Sequence, residues 1–131
     1  MRRKTDTAET IIALQGEKSN LLLEAQMLAA TGNAEAAIER YAQAAPKEER
    51  IAAYYTKQRE NAQAARHLFS AAVCWAKIGN LHNAITLFDA LRDSPVTPGR
   101  MKVDAMLYAA QLREQQRSVI QSYSQTSQAA V

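Results

Sequence analysis

Apolar residues recur along the chain at spacings of three and four, the period of an amphipathic helix. Two such lines share the spacing i, i+4, i+7: Leu21, Ala25, Leu28 and, further on, Leu68, Ala72, Trp75. Each line stops at a glycine, Gly32 or Gly79, and glycine tolerates the left-handed conformation that ends many helices. After each glycine a second apolar line begins, so the pattern predicts two helical hairpins.

The two hairpins are copies of one another at a period of 47 residues. Shifting the chain by that period aligns Gly32-Asn33 with Gly79-Asn80 and Ala37-Ile38 with Ala84-Ile85. A self-similarity at fixed period is typical of stacked-repeat proteins. The period therefore indicates one repeated supersecondary unit rather than two unrelated helix pairs.

The pattern predicts five helices in the order long, short, long, short and a last capping helix. The first begins near Asp6, where Asp6-x-x-Glu9 resembles a capping box, and Pro46 is expected to end the second. Residues 47–78 contain no glycine or proline, which predicts one long helix or two collinear ones joined near Glu60-Asn61.

The predicted boundaries divide the chain into one structured region and two tails. The whole domain is expected over 6–123, with repeat units 6–46 and 47–95 and a capping helix over 101–123. Residues 1–5 are expected to be a basic disordered tail and 124–131 a frayed tail.

Composition agrees with an all-α protein of one domain. Of 131 residues 26 are alanine, while only 4 are glycine and 3 proline. Alanine is the best helix former and the other two are the worst. Apolar residues make up 47% and charged residues 22%, which is the balance of a globular chain.

The net charge of +3 is concentrated at the start of the chain. Arg2, Arg3 and Lys4 account for it, because basic and acidic residues balance in the remainder. A nucleic-acid binder needs a basic face on its folded part, so nucleic acid is an unlikely partner. A single cysteine and the lack of a long apolar run predict a cytoplasmic protein without a membrane span.

The repeat resembles the tetratricopeptide repeat (TPR) family, in a divergent form. The matching positions are a small and then a large residue on the first helix, Gly-Asn at the turn, Ala and an aromatic on the second helix, and a final proline: Ala25, Leu28, Gly32, Asn33, Ala37, Tyr41, Pro46, and Ala72, Trp75, Gly79, Asn80, Ala84, Phe88, Pro95. The family's period is 34 rather than 47, and no third copy follows.

The resemblance implies a right-handed stack of antiparallel helical hairpins with a groove lined by the first helices. Carried over position by position, it places partner-binding residues at Leu22, Gln26, Ala29, Arg66, Phe69, Val73 and Lys77. Many members grip a peptide carboxylate with Lys and Asn where this chain has Leu22 and Gln26, so that clamp is not expected. Phe69 could equally pack against the last helix or a second copy.

Candidate chemistry is sparse. His67 and His82 have no cysteine or second histidine at ligand spacing and are expected at the surface, while Cys74 is expected to be a structural thiol. Glu48-Glu49 resembles a solvated helix face. Without a phosphate loop or nucleophile motif, neither an enzyme, a metal nor a cofactor is predicted.

The sequence thus predicts a non-catalytic adaptor or scaffold module that binds a peptide or amphipathic helix of another protein. One alternative is a homo-oligomeric helical protein whose long helices pair with themselves. The second is a nucleic-acid-associated protein that uses the basic arm at residues 1–4.

Overall fold

The protein is all-α, as predicted, and consists of five helices in the computed structural model, which describes residues 6–129 and the side chains of 6–126. The helices are α1 (Ala8–Ala30), α2 (Ala34–Lys57), α3 (Asn61–Lys77), α4 (Leu81–Asp93) and α5 (Gly99–Ala129). The expected tail at residues 1–5 and the last two residues lie outside the described part.

The turns after α1 and α3 have the same backbone geometry. Gly32 and Gly79 adopt φ of 83° and 81°, the left-handed region that costs glycine no side-chain clash. The next residue donates its N–H back into the helix end, from Asn33 to Leu28 at 2.8 Å and from Asn80 to Trp75 at 2.9 Å. These bonds satisfy carbonyls that a helix end would leave unpaired, as in a Schellman motif.

A third turn of the same kind lies between α2 and α3, although its sequence contains no glycine. Arg59 adopts φ of 58°, and the N–H of Glu60 bonds the carbonyl of Tyr55 at 3.0 Å. The interval 47–78 therefore holds two helices with a break at residues 58–60, not one continuous helix. The predicted joint near Glu60-Asn61 was close to its position.

The second helix is not short, which corrects the expected order of lengths. α2 continues through Pro46 and spans 24 residues, against 23 for α1 and 17 for α3. Proline removes one backbone hydrogen bond and strains the preceding turn. Residues on both sides of Pro46 are buried, including Ala44, Ala45 and Glu48. The helix continues through the proline because a break there would expose these side chains.

The ends of the chain's helical region also differ from expectation. Thr7, not Asp6, caps α1, accepting a hydrogen bond from the N–H of Thr10. Asp6 instead forms a bidentate ion pair with Arg50 of α2, with distances of 2.6 to 3.0 Å. The last helix begins at Gly99 and continues to Ala129, so residues 124–129 are helical where fraying was expected.

Each helix packs mainly on its neighbours in sequence: α1 on α2, α2 on α3, α3 on α4 and α4 on α5. One core cluster joins α3, α4 and α5 around Phe88 and Leu91, and a second joins α1 to α2 through Ile11, Leu14 and Ile51. A third links α2 to Cys74 of α3. Within residues 6–129, none of the helices has the length and apolar content required to cross a bilayer.

Candidate binding groove

Three aromatic side chains, one each from α3, α4 and α5, are in mutual contact. The ring of Phe69 (α3) stands edge-on to Phe88 (α4) and Tyr108 (α5), with centroid distances of 5.1 and 5.6 Å, and Phe88 stacks on Tyr108 at 5.2 Å. Phe88 is fully buried, Phe69 is half-buried and Tyr108 is 44% exposed. The set therefore connects the core to the surface between α3 and α5.

Depressions lie at both ends of this aromatic set. One, of about 260 Å³, is lined by Phe69 with Pro98, Arg100, Met101 and Asp104 at the start of α5. The other, of about 710 Å³, lies between the end of α3 and the middle of α5, and is lined by Ala76, Gly79, Leu81, Gln111, Glu114, Gln115, Ser118 and Val119. Together the aromatic set and the two depressions define what we call the α3–α5 groove.

The predicted partner-binding residues divide between two parts of the molecule. Leu22 is half-buried and packs against the cluster formed by Ala44, Ala45 and Cys74, whereas Gln26 and Ala29 are exposed on α1. Phe69 and Val73 pack against the α3–α4–α5 cluster, with Arg66 and Lys77 exposed on the same helix.

Of the two placements left open for Phe69, the structure shows packing on the last helix, through Tyr108. Binding at any of these seven positions stays a prediction. The structure adds α5 as a wall of the groove, and none of the seven predicted residues lies on that helix.

A second polar constellation lies away from the groove, where α1, α2 and α3 meet. The Glu48 side chain is fully buried, with His67 Nδ1 at 2.9 Å and Lys18 Nζ at 3.3 Å from its Oε1. The ring of His67 stacks on Tyr55, whose hydroxyl accepts a hydrogen bond of 2.7 Å from the Gln15 amide. Glu48 is therefore not on a solvated face, and His67 is half-buried rather than a surface residue.

The surroundings of Glu48 keep it charged in spite of burial. Burial by itself raises the pKa of a carboxyl, but the neighbouring His67 and Ser70 side chains and the charge of Lys18 outweigh it. The pKa of Glu48 consequently lies below its ordinary value. The arrangement is an ionic contact between three helices, since Lys18 lies on α1, Glu48 on α2 and His67 on α3.

Two further side chains lie beside this constellation, Glu49 and Cys74. Glu49 accepts a hydrogen bond of 3.1 Å from the indole N–H of Trp75, joining α2 to α3. Cys74 is buried, and burial together with the charge of Glu48 raises its pKa to about 11. Among the described residues, no group of three His, Cys, Asp or Glu side chains could hold a metal ion.

The sequence pattern allowed a joint near Glu60-Asn61 but did not identify the left-handed turn at Arg59, although a signal for it exists. A buried alanine follows each left-handed residue by five positions: Ala37 after Gly32, Ala64 after Arg59, Ala84 after Gly79. The small residue lets the next helix begin close against the previous one.

Comparison with known proteins adds no relative: the chain matches no protein-family model, no curated protein and no solved structure.

Proposed function

We propose that the protein is a non-catalytic interaction module that binds an amphipathic helix or extended peptide in the α3–α5 groove. The observation that carries the proposal is the aromatic set Phe69, Phe88 and Tyr108, which reaches the surface between two depressions. Binding sites for apolar segments are concave and mostly apolar, with polar groups at the rim.

The dimensions of the groove suit a segment of a few helical turns. Arg100 lines one end and Val119 the other, and nineteen steps of helix rise between them give about 29 Å. That distance accommodates roughly five turns of a partner helix, or about nine residues in extended form. Exposed Tyr108 is the anchor we expect, since aromatic side chains dominate binding energies at interfaces.

The resemblance to TPR proteins supports the same proposal. Successive packing of each helix on the next is the pattern of quasi-one-dimensional repeat arrays, which bind partners along one face. In a TPR-like stack α1, α3 and α5 would form that face. The predicted residues on α1, Leu22, Gln26 and Ala29, would then extend the binding surface from α3 toward α1. The proposal therefore predicts that contacts centre on α3 and α5 and weaken toward α1.

The experiment selects peptides from a displayed random library on the immobilised protein and measures their affinity by fluorescence anisotropy. We expect Val119→Glu and Tyr108→Glu to weaken binding at least tenfold, because both side chains belong to the groove and are exposed and a charge in an apolar groove must be desolvated. Ile38→Glu is the matched control, since Ile38 is 42% exposed on α2, outside the groove. Circular dichroism confirms that each variant is folded.

NMR mapping of a selected peptide provides the second readout. Intermolecular contacts to the rings of Phe69 and Tyr108 would support the groove. Peptides that bind both groove variants as tightly as the wild type, or that contact only α1 and α2, would disprove it.

A further inference from the structure

A cavity of about 310 Å³ lies between α2, α3 and α4, and it shares no lining residue with the α3–α5 groove. Small side chains leave the space open, because they do not reach across the gap between the helices. The alanines in its lining are Ala52, Ala53, Ala64, Ala65 and Ala90. Sites for small molecules begin at about 300 Å³, so the cavity has the size of a site for a small ligand.

Among the described residues, one charged side chain lines this cavity, the half-buried carboxylate of Glu49. Its Oε2 accepts the hydrogen bond from the indole N–H of Trp75. Within residues 6–126, no Lys, Arg or His side chain forms an ion pair with Glu49, which leaves its Oε1 available to a ligand.

The cations nearest to Glu49 along the chain are already paired with other carboxylates. Lys47 lies 3.1 Å from Glu17, and Arg50 lies 2.6 Å from Asp6. A carboxylate that is partly removed from water without a cationic partner loses hydration and gains no compensating attraction. A ligand with a positive charge would supply the partner that the protein does not provide.

Neutral polar side chains line the opposite end of the cavity. Thr56 follows Glu49 by seven residues on α2, which is about 10 Å along the helix axis. Asn61 begins α3 and Ser94 follows the end of α4, and both line the cavity together with Thr56. The lining therefore changes from anionic, through apolar, to neutral polar over about 10 Å.

We propose that this cavity binds a small molecule with a primary ammonium group at one end of an apolar stem and a hydroxyl or amide group at the other. The ammonium group pairs with Oε1 of Glu49, the stem lies along the alanines, and the neutral group bonds to Thr56, Asn61 or Ser94. A stem of about six carbons matches the length, since three extended bonds cover about 3.8 Å.

The charge of the lining sets the selectivity of this site. An anionic ligand is repelled by Glu49, and a neutral one lacks the charge-assisted hydrogen bond, which is roughly twice as strong as a neutral one. The site does not depend on the proposed function, because the cavity and the α3–α5 groove have no residue in common.

The fluorescence of Trp75 gives a direct readout of binding. It is the single tryptophan of the chain, and its indole nitrogen lies 3.1 Å from Oε2 of Glu49. The first probe is aminohexanol, whose amine is protonated at neutral pH. Hexanediol lacks the ammonium group, and methylamine at the same concentration lacks the stem and controls for ionic strength. We expect a saturable change with aminohexanol and at least tenfold weaker binding of hexanediol.

Two variants locate the binding site. Glu49→Gln keeps an acceptor for the indole and removes the charge, so it should remove the preference for aminohexanol over hexanediol. Ala53→Leu/Ala90→Leu fills the cavity from two exposed positions and should weaken aminohexanol binding at least tenfold. Ala62→Leu is the matched control, since Ala62 is exposed on α3 and lies outside the cavity lining. Circular dichroism confirms that each variant is folded.

Three results would each overturn the proposal. The first is no saturable binding of aminohexanol by fluorescence or by titration calorimetry. The second is equal affinity of the wild type for aminohexanol and hexanediol, and the third is unchanged binding in Ala53→Leu/Ala90→Leu. Peptide binding in the α3–α5 groove is measured with other variants, so either site can fail without the other.

Discussion

His67 Nδ1 lies 2.9 Å from Oε1 of Glu48, a carboxylate that is fully buried between three helices. Lys18 of α1 approaches the same oxygen at 3.3 Å. A buried charge without partners strongly destabilises the folded state. Packing arrangements that separate Glu48 from its partners are therefore unfavourable. We therefore expect Glu48 to fix how α2 packs against α1 and α3.

Removing the carboxylate should destabilise the protein strongly. We expect Glu48→Ala to lower the free energy of unfolding by about 3 kcal/mol, the cost of breaking a buried ionic contact. Glu24 pairs with Arg40 at 2.8 Å but is 54% exposed, so Glu24→Ala should cost less than about 1 kcal/mol. Urea denaturation measures both, and equal losses would contradict the assigned role of Glu48.

The stabilisation from Glu48 should disappear in acid. Its folded-state pKa lies below the ordinary value of 4.5, so the contribution is complete above about pH 4.5 and is lost as the pH falls through the folded value. The protonated side chain resembles glutamine in shape. The difference in unfolding free energy between the wild type and Glu48→Gln should therefore shrink below pH 4.5, and a constant difference down to pH 3 would refute the linkage.

Arg59 occupies a backbone conformation that suits glycine. We expect Arg59→Gly to stabilise the protein by about 0.5 kcal/mol, because removal of the steric cost of left-handed φ exceeds the added entropy of the unfolded chain. Gly32→Ala and Gly79→Ala should each destabilise by about 1 kcal/mol for the same reason.

Gly16 provides the internal control for these backbone effects. It lies inside α1 with open space around the position of a Cβ and with no positive φ, so Gly16→Ala should stabilise by up to about 1 kcal/mol. Thermal unfolding of the four variants gives the order. If Arg59→Gly destabilised the protein, the Arg59 side chain would contribute more to the free energy of unfolding than its left-handed backbone conformation costs.

Cys74 should react slowly in the folded protein. Its pKa of about 11, against 9.0 for the ordinary thiol, reduces the thiolate fraction at neutral pH about a hundredfold. Alkylation by iodoacetamide, followed by mass spectrometry, should be at least that much slower than in urea. Similar rates in the two conditions would show that the Cys74 thiol is not buried and that its pKa is not raised.

The local pattern was enough to predict the all-α class and two of the turns. Gly32 and Gly79 end helices where expected, and the all-α class follows from composition and period. Both features depend on backbone preferences that act within a few residues, so they can be recognised without knowing the rest of the molecule.

Only the tertiary structure decided that α2 continues through Pro46, that Arg59 turns the chain, that Glu48 is buried and that Tyr108 faces Phe69. In each case the packing of distant helices outweighs a local preference: buried side chains around Pro46 offset the strain of the proline, and partners from two other helices offset the desolvation of a carboxylate. The spacing of apolar residues identifies the apolar side of each helix, but not the helix that packs against it. That is why the fold class could be derived from the sequence, and the α3–α5 groove could not.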